Sequence, residues 1–117
     1  MKPPLAFVYL LAMAIFGQPA SAEDQASARQ AIANYKQGDR VVAIGIREFV
    51  DGLNWANADL RHSNAKEIYC LPDKLILTTD QEVDIVERYL EKAPNVGEFP
   101  IQAGLLMALK DTFPCPH

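Results

Sequence analysis

The chain has 117 residues, with 11 basic against 15 acidic side chains, a formal charge of −4 at pH 7 and half of its residues hydrophobic. That is one modest domain with material for a core. The Lys and Arg residues are scattered singly, which excludes the clustered cationic surface that nucleic acid requires.

Met1 and Lys2 give a short positive start, Leu5 to Phe16 is an unbroken apolar run, and Gly17, Pro19 and Ala20-Ser21-Ala22 follow. This pattern is that of a cleavable export signal, residues 1–22, cut after Ala22. The apolar run is shorter than the about 20 residues that a membrane span needs. No cysteine lies near the cut to carry a lipid. Residues 23–117 are then the working domain, and loss of Lys2 alone among the charged groups takes the side-chain charge to −5.

Glu23 to Tyr35 is polar with weak apolar periodicity and predicts a short first helix, which Gly38 breaks. Asp39 can cap a second helix by accepting backbone N–H bonds. Val42, Ile46, Phe49, Val50, Leu53 and Ala56 form its apolar stripe. Gly45 and Gly52 sit seven apart inside it, each costing about 1 kcal/mol against alanine. Close helix packing explains them; a homodimer seam is the sharper alternative. Asn57 to Ala65, rich in Asn, Asp and Ser, predicts a loop, because such side chains compete for backbone hydrogen bonds.

Lys66 to Leu71 runs into Pro72. Thr79-Asp80-Gln81-Glu82 then fits a capping box, starting a third helix from Asp80 to about Lys92. It should bury Val83, Val86 and Leu90, with Ile85 and Tyr89 at the margin. Pro94 and Gly97 end it. Pro100 suits the first turn of a fourth helix, whose buried stripe is Ile101, Leu105, Leu106, Leu109 and Phe113, and Pro114 and Pro116 close it. No segment alternates convincingly as a strand, so the expected class is all-α: a bundle of about four helices.

Cys70 and Cys115 are the only cysteines. In an exported chain an even count points to a disulfide, and antiparallel third and fourth helices would bring the two to one end of a hairpin. Free thiols serving catalysis or a metal are the alternative. The inventory for an enzyme is otherwise thin. His62 in the polar segment and His117 at the terminus make no zinc set, no phosphate-binding glycine loop occurs, and neither cofactor nor catalytic residue is expected.

Two features suit a protein partner. Asp80, Asp84, Glu87 and Glu91 follow at helical spacing along one face, either a solvated surface or a docking stripe for a basic partner. Trp55, with Arg61 and His62 close by, is either a core-edge aromatic or an interface anchor, since tryptophan and arginine are favoured anchors.

The ordered series Tyr69-Cys70-Leu71-Pro72, a capped helix, Tyr89-Leu90-Glu91 with Pro94, Ala108-Leu109 and Phe113-Pro114-Cys115-Pro116 resembles the Rap/Tai immunity proteins over roughly residues 39–116. Phe49-Val50-Asp51-Gly52 looks like that family's aromatic-x-x-Gly segment. Ile46 stands where a cysteine is common, and a further N-terminal cysteine is absent too, so a second disulfide is lost as a pair. The resemblance implies that Cys70 and Cys115 bond to each other. It also implies a small helical protein of the Gram-negative periplasm that binds and blocks a peptidoglycan amidase delivered by type VI secretion, without chemistry of its own. A competing reading is an HdeA-like periplasmic acid-stress chaperone, because full protonation would swing the side-chain charge from −5 to about +12 and loosen the fold.

Overall fold

In a computed structural model, residues 26–116 are described; the export signal expected at residues 1–22 lies outside them, as do Glu23 to Gln25 at the start of the expected first helix. That helix, α1 (Ala28–Lys36), begins where the Ser27 hydroxyl accepts from the Gln30 N–H. Ala26 and Ser27 are therefore not helical. Gly38 reverses the chain at φ +87°, a left-handed conformation that costs glycine little. Asp39 Oδ1 then accepts from the N–H groups of Val41 and Val42 at 3.0 and 3.3 Å, starting α2 (Arg40–His62).

Helix α2 is longer than its composition suggested. The segment expected to be a loop from Asn57 is helical through His62, and the turn comes only at Ser63 and Asn64, the latter at φ 56°. The physical reason is Asn57 itself. Its side chain does not compete for the backbone of its own helix but is buried, bonding the backbone of Ile68 and Tyr69 instead. Ala56, expected in the buried stripe, is exposed, whereas Ile46 and Val50 are buried and Val42, Phe49 and Leu53 pack against the core.

Helix α3 (Thr79–Lys92) has a capping box one residue earlier than expected: Thr78 Oγ1 accepts from the Gln81 N–H, and Gln81 Oε1 accepts from the Thr78 N–H. Thr78 is the residue with extended geometry, φ −81° and ψ 161°, so it and not Thr79 is the cap. Val83, Val86 and Leu90 are buried as expected, and Ile85, placed at the margin, is buried as well. A 3-10 turn (Pro94–Glu98) that the sequence reading did not anticipate leads to α4 (Ile101–Thr112). The Ala28 N–H donates to Phe99 O at 2.6 Å, tying the start of α1 to the start of α4.

Helix α4 lies at the centre, touching α1, α2 and α3. Its Leu105, Ala108 and Leu109 are fully buried, in one core with Val86 of α3, Ile46 and Val50 of α2, and Tyr69. Among the described residues the elements are helical, with one isolated bridge between Ser27 and Pro100. The all-α expectation holds. Cys70 and Cys115 form a disulfide with Cα atoms 4.9 Å apart, and the Cys70 N–H donates to Phe113 O at 2.8 Å beside it.

Among the described residues, Gly45 and Gly52 mediate no close packing. A Cβ at either position would meet nothing within 4 Å, and both residues are exposed. In helix interiors facing open space, Gly45→Ala and Gly52→Ala should each stabilise the isolated chain by about 0.5–1 kcal/mol by removing backbone freedom from the unfolded state. Urea unfolding of the two variants measures this, and a loss of stability would reveal a contact to these positions that the monomer does not make.

Candidate functional site

Tyr69 organises the surface on which a partner could act. The stretch from Glu67 to Leu77 has no helix or strand, so its backbone needs partners from elsewhere. Asn57 supplies two: its Oδ1 accepts from the Ile68 N–H at 2.7 Å, and its Nδ2 donates to Tyr69 O at 3.0 Å. The Tyr69 ring is 1% exposed, and its hydroxyl donates to Asn54 Oδ1 at 2.5 Å. Burial and the Glu82 charge push this phenol up to about 12. These bonds set the segment a fixed distance from α2 and open a cleft of about 540 Å³ between them, floored by the first turn of α3.

The cleft is acidic at its base. Asp51, Asn54, Asn57 and Arg61 line it from α2; Glu67, Tyr69, Asp73, Lys74 and Ile76 line it from the connecting segment; and Glu82 lines it from α3. Arg61 is occupied, pairing with Glu67 through Nε–Oε1 at 2.7 Å. Glu82 is only 5% exposed, and its Oε2 is buried with no hydrogen-bond partner among the described residues. Burial first, and the Asp51 carboxylate second, push Glu82 up to about 7 from an ordinary 4.5.

This shift has a consequence for stability. Between about pH 4.5 and pH 7 the folded chain holds a proton on Glu82 that the unfolded chain has released, so stability falls as pH rises through that window and the whole cost is present above it. Each pKa unit corresponds to about 1.4 kcal/mol, so the loss from this group is at most about 3.5 kcal/mol. Glu82→Gln should therefore be more stable than the parent at pH 8 and no more stable at pH 5. Urea midpoints at the two pH values test this, and a parallel pH dependence in both proteins would contradict it. The other charged groups lining the cleft are Asp51 and Arg61 on α2 and Glu67, Asp73 and Lys74 on the segment, and of these Asp51 acts on the Glu82 carboxyl.

The residues singled out from sequence fall into two places. Trp55 is 77% exposed, so it is no core-edge residue. It does not line the cleft; at about 100° per residue it shares the outer side of α2 with Val41 and Ile44. Arg61 lines the cleft and His62 is exposed at the end of α2. The acidic stripe of α3 faces another way, roughly opposite Glu82 at about 100° per residue. Two of its members are engaged by α1: Asp80 accepts from the Tyr35 hydroxyl, pushing that phenol up to about 12, and Glu87 pairs with Lys36 at 2.6 Å. Asp84 and Glu91 stay exposed. The outer side of α2 carries exposed Val41 (80%) and Ile44 as well as Trp55, and exposed Ile76 (86%) lines the cleft.

Glu82, Asp51, Asn54 and Ile76 were not anticipated as site residues. Glu82 in particular was assigned to a cap, and only the one-residue shift of that cap frees it.

A helical platform with exposed aliphatic and aromatic side chains on the outer side of α2 and an acidic cleft on another side is the kind of surface a protein-binding module presents. A sequence model of the Rap1a immunity proteins matches residues 10–115, and the chain belongs to that family. Its role is accordingly that of an immunity protein, which binds a protein effector. No curated protein and no solved structure matches the chain. Among the described residues no helix is long and apolar enough to cross a membrane.

Proposed function

We propose that the protein acts in the periplasm, after removal of residues 1–22, by binding a type VI secreted peptidoglycan amidase and covering its active cleft, without catalysing a reaction itself. Membership of the Rap1a immunity family carries this reading. The Cys70–Cys115 disulfide suits an oxidising compartment, and the motif series from Tyr69 to Pro116 supports the amidase as target. We assign the contact to the outer side of α2 together with the cleft. There Trp55 and Ile76 expose apolar surface whose burial would favour association.

Co-expression with the secreted product of a neighbouring gene tests the reading. The pair should co-elute, the effector's cleavage of peptidoglycan should stop, and cells exporting the chain should survive the effector. Failure of every neighbouring product to bind would overturn it. Trp55→Ala should weaken the complex by at least 2 kcal/mol, roughly 30-fold, as a central aromatic anchor does, while leaving the urea midpoint of the free chain unchanged. An unaltered affinity would move the contact to another face.

A further inference from the structure

A buried carboxylate without a partner is costly to keep. Leaving such a group unsatisfied sacrifices stability that a neutral or apolar side chain would retain. Glu82 is not in the sealed core, however. It lies at the base of an open cleft, one turn into α3, where the helix N-terminus favours an anion. Within the chain, what it lacks is a cation.

Among the described residues no cation pairs with it, although Lys74 also lines the cleft. Arg61, the cation of α2 on this cleft, is held by Glu67, and among the described residues no ion pair within 4 Å involves Asp51, Asp73, Lys74 or Glu82. Asp51 adds a second negative charge close enough to oppose ionisation of Glu82. One wall suits a long side chain, because Leu71, Leu75, Ile76 and Leu77 of the connecting segment line it and offer apolar surface to an aliphatic stem. The volume lies in the range that takes an inserted group of this size. A metal ion fits poorly, since among the described residues no three His, Cys, Asp or Glu side chains converge to hold one.

We propose that the cleft between α2 and the Glu67–Leu77 segment is the socket for one basic side chain, an arginine or lysine, that projects from the bound effector, with the Glu82 carboxylate as its counter-charge and Asp51 as a second acceptor. This rests on the effector-binding reading above and names the chemistry of that contact. The incoming cation supplies the pairing that the fold withholds. It also drives the proton off Glu82, so insertion releases a proton near neutral pH and strengthens as pH rises from 5 to 8.

The test uses the purified chain and two small probes, N-acetyl-L-arginine amide and its neutral isostere N-acetyl-L-citrulline amide, titrated by NMR. The arginine probe should give saturable shifts at Asp51, Asn54, Tyr69 and Glu82 with a dissociation constant in the millimolar range, about −4 kcal/mol. The Glu82 carboxyl should titrate at lower pH when the probe is bound. The citrulline probe should bind at least about tenfold more weakly. Glu82→Gln should lose at least about tenfold in affinity for the arginine probe, with its cooperative unfolding retained, and Asp51→Asn should lose less. Equal response to both probes, undiminished binding by Glu82→Gln, or no saturable shift at these residues would overturn the socket. The effector experiment separates the two readings. An effector that binds Glu82→Gln as tightly as the parent removes the socket and leaves the immunity function, whereas arginine binding through Glu82 without any effector does the reverse.

Discussion

Replacing both Cys70 and Cys115 by alanine should lower the unfolding free energy by about 4 kcal/mol. The bond closes a loop of 45 residues, and the chain-entropy cost of closing such a loop in the unfolded state has this size. A domain of this length has a total stability of roughly 5–14 kcal/mol, so the variant should fold at low temperature yet unfold at much lower urea. Loop contents sharpen the expectation. All of α3 and α4 lie between the two cysteines, so their release frees the helices that carry most of the core. The Cys70 N–H bond to Phe113 O survives the substitution, but without the covalent link it must hold two chain ends together by itself. Excess reductant on the parent protein should reproduce the effect. Equal urea midpoints with and without reductant would show that the bond contributes nothing.

The same disulfide shows how far the sequence could be read. Two cysteines flanking two helical patterns pointed to a disulfide, with free thiols as the alternative, and the family resemblance implied that the two bond to each other. Apolar spacing placed Val83, Val86 and Leu90 in the core, and likewise Leu105 and Leu109, since a period of 3.6 needs no tertiary information. Asp39 was legible as a cap for the same local reason. The misses have different causes, and the first is a polar side chain whose partners are distant in sequence. Asn57 looked like a loop former because its local alternatives are turns, yet its amide is spent on Ile68 and Tyr69, 11 and 12 residues away. Thr78 and Thr79 both precede a residue able to complete a capping box, Gln81 or Glu82. Periodicity does not choose between them; the backbone conformation of Thr78 does. That choice decides the character of the site. With Thr79 as cap, the Glu82 carboxylate would have accepted a backbone N–H; with Thr78, it is carried to the base of the cleft unpaired. Trp55 was recognised as an anchor type, but whether it faced the core or solvent depended on the crossing of α2 over the bundle.

Asn57→Ala should cost about 3 kcal/mol and take the cleft with it. The side chain is 4% exposed and uses both ends of its amide, so truncation leaves the Ile68 N–H and the Tyr69 carbonyl without partners at once. Each unsatisfied buried backbone group costs about 1–3 kcal/mol, so two cost about 2–6 kcal/mol, and the part-buried position of Ile68 keeps the sum in the lower half of that combined range. Asn57→Asp separates the two bonds. An ionised aspartate still accepts from Ile68 but sets a negative oxygen against the Tyr69 carbonyl, so the loss should be comparable at pH 7 and should shrink at low pH, where a protonated carboxyl can donate as the amide did. Hydrogen exchange at the Ile68 amide reports the bond directly, and its protection should fall more than that of amides within α3. Because Asn57 and Asn54 together fix Tyr69, and Tyr69 forms one wall of the cleft, the alanine variant should also lose its response to the arginine probe while Glu82 is intact. If that response persisted at full strength, the anionic base alone would suffice for capture and the wall built on Tyr69 would be dispensable.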